Sequence, residues 1–239
     1  VTFRPYPGLT IAAAILFVLL CGLGVWQLER LQWKLGLIAT VNGHLAAPPL
    51  SLDQALRLEA GAAQYRRVTL TGRFDHAREA YVFTTGAAAE PVYHVLTPFL
   101  TGDGRTLMVD RGMVDGAHLS PASRAAGNVA GATRITGVWR VPDGAGAFTP
   151  APDPARRIWY ARDLGAIAAA DHLTLSAPVV IEADAAPNPG GWPKGGQTVV
   201  SFRNQHLSYA VTWFGLALCL LGVWLAYHVR HGRLAWGRR

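Results

Sequence analysis

The stretch "NQHLSYAVTWFGLALCLLGVW", Asn204 to Trp224, starts polar and ends as a run suited to hydrocarbon rather than to water. From Tyr209 to Val229 there is no Asp, Glu, Lys or Arg. At about 1.5 Å per residue a run of this length crosses the roughly 30 Å core of a bilayer. Leu9–Leu28, "LTIAAAILFVLLCGLGVWQL", meets the same test near the other end of the chain. Together the two runs account for a composition that is 51% hydrophobic and 15% charged, against about 25% charged in soluble domains. Two transmembrane helices are expected. The first is longer than the roughly 7–15-residue core of a signal peptide and continues into Trp26-Gln27-Leu28-Glu29-Arg30. It reads as an uncleaved anchor.

Basic residues flanking a span stay on the cytoplasmic side. Arg230, Arg233, Arg238 and Arg239 follow the second run and Arg4 precedes the first, so both termini are expected in the cytoplasm. The predicted organisation is a cytoplasmic N-terminus (1–8), a transmembrane helix (9–28), an extracytoplasmic β-rich domain (29–208), a second transmembrane helix (209–229) and a basic cytoplasmic tail (230–239). The formal net charge of +7 is attributed to anionic membrane lipid rather than to nucleic acid, because no basic helix with interleaved aromatics appears between the spans. Cys21 and Cys219 both fall inside the spans. The external domain therefore has no cysteine and must fold on its apolar core.

In that domain Glu29–Gly43 reads as a polar continuation of the first helix, and Leu50–Leu58 as a short helix capped by Ser51. Strands are expected at Tyr65–Phe74, at "AYVFTT", across a hairpin spanning Val92–Val109 that turns at Asp103-Gly104, at Ala132–Val141 and at Val179–Ala183. Leu164–Ala170 is the main helical candidate. The fold class predicted is membrane α+β: two transmembrane helices bracketing an extracytoplasmic antiparallel β-barrel-like or sandwich-like domain.

The templates of enzymes are missing. There is no G-x-S-x-G elbow, no phosphate loop with its lysine and no H-E-x-x-H, and the histidines have no ligand spacing. No enzyme is expected. Arg111, in "VDRG", reads as a hairpin-end arginine paired with Asp110; Arg66 and Arg67 read as a solvated strand edge; His228 and His231 read as tail residues beside headgroups. Trp192 either rests on the membrane or caps a cofactor.

The mouth of the second helix is where chemistry is expected. His206, Ala210, Trp213 and Ala217 recur at helical spacing and share one face. Small residues leave a hollow, Trp213 walls it, and a neutral imidazole at the interface offers iron a lone pair. A flat apolar cofactor such as haem would suit this place, with its carboxylates reaching Arg203. The alternative is a hydrated boundary histidine among the aromatic residues that gather at membrane interfaces. Gln27 and Arg30, at the outer end of the first run, would face the same hollow if the helices are antiparallel neighbours.

Seven blocks carry a likeness to a known family: "LGVWQLERLQWK" (Leu23–Lys34), "YRRVTLTGRFD" (Tyr65–Asp75), "YHVLTPF" (Tyr93–Phe99), "VDRGMV" (Val109–Val114), "WYARDL" (Trp159–Leu164), "GGWPKGGQT" (Gly190–Thr198) and "NQHLSYAVTWFGLAL" (Asn204–Leu218). In order and spacing the chain resembles the surfeit-locus-one family of cytochrome c oxidase assembly factors. The resemblance implies a bacterial or mitochondrial inner membrane with the main domain on the outer side, and a role in bringing haem a to the large oxidase subunit. It further implies that His206 is the axial haem-iron ligand; with the residues read above, the candidate site is His206, Arg203, Tyr209, Ala210 and Trp213. The implied partners are the cytochrome c oxidase large subunit, haem a synthase and membrane lipid. A cofactor-free scaffold and a stable accessory subunit of the oxidase are the alternatives.

Overall fold

The computed structural model describes residues 2–59, 61–86, 88–198 and 202–235; Arg238 and Arg239 of the expected basic tail lie outside them. In chain order the strands and α-helices are β1 (Thr2–Phe3), α1 (Pro7–Ala46), β2 (Leu50–Ser51), α2 (Leu52–Leu56), β3 (Arg67–Phe74), β4 (Ala80–Thr85), β5 (Pro91–Thr101), β6 (Thr106–Asp115), β7 (Thr133–Arg140), β8 (Ile158–Trp159), α3 (Leu164–Ala170), β9 (Val180–Ala183), α4 (His206–Arg230) and β10 (Leu234–Ala235). They form two compact units, one of residues 1–40 and 201–239, the other of residues 41–200.

The first unit is a helix pair closed at one end by β1 against β10. Both helices are long and apolar enough to cross a membrane, with mean hydropathy 2.5 and 1.9 over their most apolar windows. Their outward side chains stay exposed, Val18 and Leu218 among them. In water that surface would be heavily penalised; in lipid it is the solvated face. At 40 residues, α1 is about 60 Å long, which is twice a bilayer core. Its polar second half belongs with the expected continuation from Glu29.

The second unit is a closed barrel. An eight-stranded sheet runs β2-β3-β7-β9-β6-β5-β4-β8, and β3 pairs again with β5. Gly72, Arg73 and Phe74 meet Thr101, Leu100 and Phe99. The ring β3–β7–β9–β6–β5 thus has no free ends. Most neighbours are antiparallel, as expected, but β2 lies parallel to β3, β9 to β6 and β8 to β4. The chain crosses over through α3 before it lays β9 between β6 and β7, which a hairpin cannot do.

Alternation explains why the barrel strands read as continuous apolar runs. Val68, Leu70, Phe99, Leu107, Val109, Trp139 and Ile181 fill the interior. The intervening Leu96, Met108 and Val180 are also buried, with Ile167 and Leu164 of α3 laid over them. Strands covered on both faces lose their polar alternation. Ser51 caps α2 as expected: its hydroxyl accepts from Gln54 N while Gln54 Oε1 accepts from Ser51 N. The hairpin turns through Asp103-Gly104, with Gly104 N donating to Thr101 O.

Three expectations need correction. Arg111 does not pair with Asp110; successive strand residues face opposite sides, so Arg111 points to Glu79 while Asp110 meets His94 and Arg162. Arg66 and Arg67 are not a solvated edge: β3 carries β7 along its length and β2 and β5 on its other side, and Arg66 Nε is buried. His228 is not a headgroup residue. It is fully buried, with Nδ1 against Trp224 O and Nε2 accepting from Tyr6 N.

Candidate functional site

The helix pair explains the stripe on α4. Ala210 and Ala217 are 1% and 2% exposed, while Tyr209 and Val211 beside Ala210 are 52% and 65% exposed. The small residues thus face inward and their neighbours face out. Three contacts set the helices antiparallel: His206 against Gln27, Phe214 against Gly24, and Trp224 Nε1 donating to Thr10 Oγ1 at 3.2 Å. A Cβ on Gly24 would stand 2.7 Å from Phe214 Cζ, so only glycine lets the ring close against the backbone of α1.

His206 occupies the first position of α4. Its Nδ1 lies 2.8 Å from Gln27 Oε1. An amide oxygen accepts only, so Nδ1 is the donor in this pair, and in the neutral imidazole the lone pair then lies on Nε2. A partner of this kind on the far ring nitrogen is what fixes the orientation and raises the basicity of a metal-binding histidine. Gln27 is itself buried. From this pair to the Thr10–Trp224 pair is about 26 Å along α1, close to one hydrocarbon thickness.

Trp213 lies two turns deeper on the same face, half-buried. Its Nε1 is buried and has no acceptor among the described residues, an indole donor awaiting a polar group. Arg203 is exposed in the segment before the helix, and Tyr209 turns its ring to the outer surface. The structure thus brings His206, Ala210 and Trp213 onto one inward face, and it leaves Arg203 and Tyr209 at the rim. Arg30 does not join them and stacks its guanidinium on Trp33 at 3.8 Å. By its chemistry the imidazole of His206 could ligate a haem iron, with the Trp213 indole beside it and the Arg203 guanidinium exposed nearby, while Ala210 and Ala217 are covered in the helix pair.

In the barrel, sequence reasoning missed a buried ionic centre. Glu79 receives Arg111 at 3.0 Å and Arg124 on its other oxygen; His76 Nδ1 stands 3.3 Å away and Tyr81 Oη donates at 3.3 Å. His76 and Tyr81 flank Glu79 in sequence, but Arg111 and Arg124 come from distant stretches, so no local motif announces the cluster. Burial pushes the Glu79 carboxyl up, but His76 and the two guanidinium groups overcome it and hold the pKa at about 2. Burial and the Glu79 charge push the Tyr81 hydroxyl up to about 12. A second network joins Asp110 to His94 and Arg162, and Arg162 onward to Glu182, at 2.7–2.8 Å. Trp192 stacks on His118 with ring centroids 4.3 Å apart, and Lys194 Nζ lies over its ring.

The sequence matches known proteins over most of its length. Residues 14–218 match the model of the SURF1 family. The chain is 36% identical over 224 residues to Surfeit locus protein 1 of Mus musculus, covering 87% of this chain and 72% of that protein. It is 34% identical over 225 residues to Surfeit locus protein 1 of Homo sapiens, covering 87% and 74%. A SURF1-like protein of Monosiga brevicollis is 37% identical over 216 residues, covering 85% and 81%.

Proposed function

Since the chain belongs to the SURF1 family, we propose that it is an assembly factor for haem-copper cytochrome c oxidase that binds haem a and hands it to the large oxidase subunit. It is a binding protein, and no covalent step is assigned to it. The barrel lies on the outer side of a bacterial or mitochondrial inner membrane, with both termini in the cytoplasm, as the basic flanks favour. Haem a synthase is the partner suited to supply the group, and membrane lipid surrounds the helices.

One observation carries the reading: His206 faces α1 with Nδ1 held by Gln27, which leaves Nε2 free as an iron ligand. Gln27 fixes the ring orientation. Trp213 would wall a bound macrocycle, and Ala210, 1% exposed in the helix pair, would meet it only where the two helices part; the unpaired Trp213 Nε1 would suit a carbonyl-type substituent. Arg203 answers carboxylates at the water boundary, with Tyr209 beside it. A bound haem would supply an iron centre, and His206 is the residue that would hold it.

The test is the visible spectrum of the protein purified from cells that make haem a. Wild type is expected to carry pigment and His206→Ala to lose it. Gln27→Leu, which removes only the ring's partner, is expected to weaken binding about 10–100-fold. Equal pigment in wild type and His206→Ala, or pigment in neither, overturns the reading.

A further inference from the structure

Beside the buried ionic centre the barrel opens into a cleft of about 480 Å³, lined among others by Phe74, Arg111, Arg134, Thr136 and Asn188. That volume is within the range of small-molecule and peptide sites, about 300–1,000 Å³. Its cause is a mismatch in strand length. β7 runs from Thr133 to Arg140, but β9 pairs with it only from Gly137 onward. Asp184 N still donates to Thr136 O at 3.0 Å, continuing that ladder by one position. At the next position the chain departs: Ala186 N turns back to Asp184 Oδ1 at 3.1 Å instead of reaching Arg134.

Hydrogen-bonding direction alternates along an antiparallel strand. Trp139 N donates to Arg66 O, toward β3, while Thr136 O accepts from the β9 side. Arg134, two residues before Thr136, therefore aims its N–H and C=O at the cleft. This is an edge inside an otherwise closed barrel, with a backbone donor and acceptor facing a cavity.

The electrostatics of the cleft are one-sided. Arg111 and Arg124 share a single buried carboxylate, Glu79, so the centre keeps one excess positive charge. Arg111, on the cleft side of it, also lies 4.9 Å from the Phe74 ring centroid. The Arg134 side chain adds a cation at the rim, exposed on β7. Asp184 is the acid of the lining, and its Oδ1 is engaged by Ala186 N. A low-dielectric pocket with a net cation in its wall attracts anions more strongly than the open surface does.

We infer that this cleft binds an extended acidic segment of a partner protein. The segment adds as a short strand to β7 at Arg134, with an acidic side chain directed toward Arg111. Main-chain bonds to Arg134 supply register, the cation supplies selectivity, and Phe74 takes an apolar neighbour. The cleft lies wholly within residues 41–200 and shares no residue with His206, so the two proposals fail independently.

The experiment selects heptapeptides from a random phage-displayed library against the full chain in detergent micelles. The consensus peptide is then measured by fluorescence anisotropy. Acidic residues should be enriched. Binding should weaken at least about tenfold, the scale of one lost hydrogen bond or charge contact, in three cases. These are N-methylation of alternate peptide bonds, Arg134→Glu, and Arg134→Pro, which deletes the cleft-facing N–H without removing a bond to β3. The N-methylated peptide uses the unaltered protein, so misfolding cannot imitate that result. No enrichment, or a consensus without acids, overturns the proposal. So does affinity unchanged by N-methylation and by Arg134→Pro. Displacement by inorganic phosphate with no N-methylation effect would mark a small-anion site instead and equally refute the strand.

Discussion

Glu79→Ala is expected to destabilise the barrel by about 3–5 kcal/mol, the scale for removing one partner of a buried ion pair. The cost arises from what remains. Arg111 and Arg124, 2% and 0% exposed in their side chains, would face each other in the interior with no counter-charge, and Tyr81 Oη would lose its acceptor. Glu79→Gln keeps the shape and part of the hydrogen bonding, so its loss should be smaller. Denaturant titration of the detergent-solubilised protein measures both. A loss below about 1 kcal/mol for the alanine variant, the level of an ordinary surface change, would contradict the buried centre.

The same group sets an acid dependence. Glu79 titrates near 2 in the folded chain against an ordinary 4.5, so the folded state favours its ionised form. A depressed carboxyl contributes stability above its unfolded pKa, and the contribution fades as pH falls from about 4.5 toward 2. The difference corresponds to about 3 kcal/mol at neutral pH. Asp110, lowered despite its burial by His94 and Arg162, works in the same direction. Stability measured at stepped pH should therefore fall below pH 4.5 in wild type and fall less steeply in Glu79→Gln. Parallel curves would contradict the assignment.

Gly112→Val should be as damaging. Gly112 has φ +113°, and a Cβ built there would fall 1.9 Å from Lys194 O. A β-branched residue meets both a forbidden backbone region and an immovable carbonyl. Lys194 and Met113 exchange backbone hydrogen bonds at 2.9–3.0 Å, so the substitution would pry the 190–196 segment from β6. Loss of folded protein, or a fall of several kcal/mol on the scale of the severest point changes, is the expected outcome. The accompanying marker is altered Trp192 fluorescence as that ring leaves His118. An unperturbed Tm would show that the segment is not clamped as described.

The parts of this molecule legible in sequence were those governed by local rules. Uncharged apolar length announced both helices, an Asp-Gly turn announced the β5–β6 hairpin, and the Ser51/Gln54 pair announced a cap. Helical spacing placed His206, Ala210 and Trp213 on one face, and the antiparallel reading put Gln27 near them. What stayed hidden depended on residues far apart in the chain. Barrel closure rests on β3 meeting β5, and the parallel placement of β9 follows a long crossover. Glu79, Arg111 and Arg124 gather from three separate stretches, and the identity of Arg111's partner turned on strand alternation rather than on adjacency to Asp110. His228 looked like a tail residue because nothing local showed that Tyr6 would cover it.

The most direct test of the haem site removes the ligand and returns it. His206→Gly leaves a gap of one imidazole beside Gln27, and free imidazole can occupy it. The expected result is a preparation that lacks the visible bands of bound haem a and regains them when imidazole is added, while wild type keeps them without it and Gln27→Leu keeps them at reduced occupancy. A His206→Gly protein that binds haem a with the wild-type spectrum and stoichiometry in the absence of imidazole would contradict the assignment of Nε2 as the iron ligand.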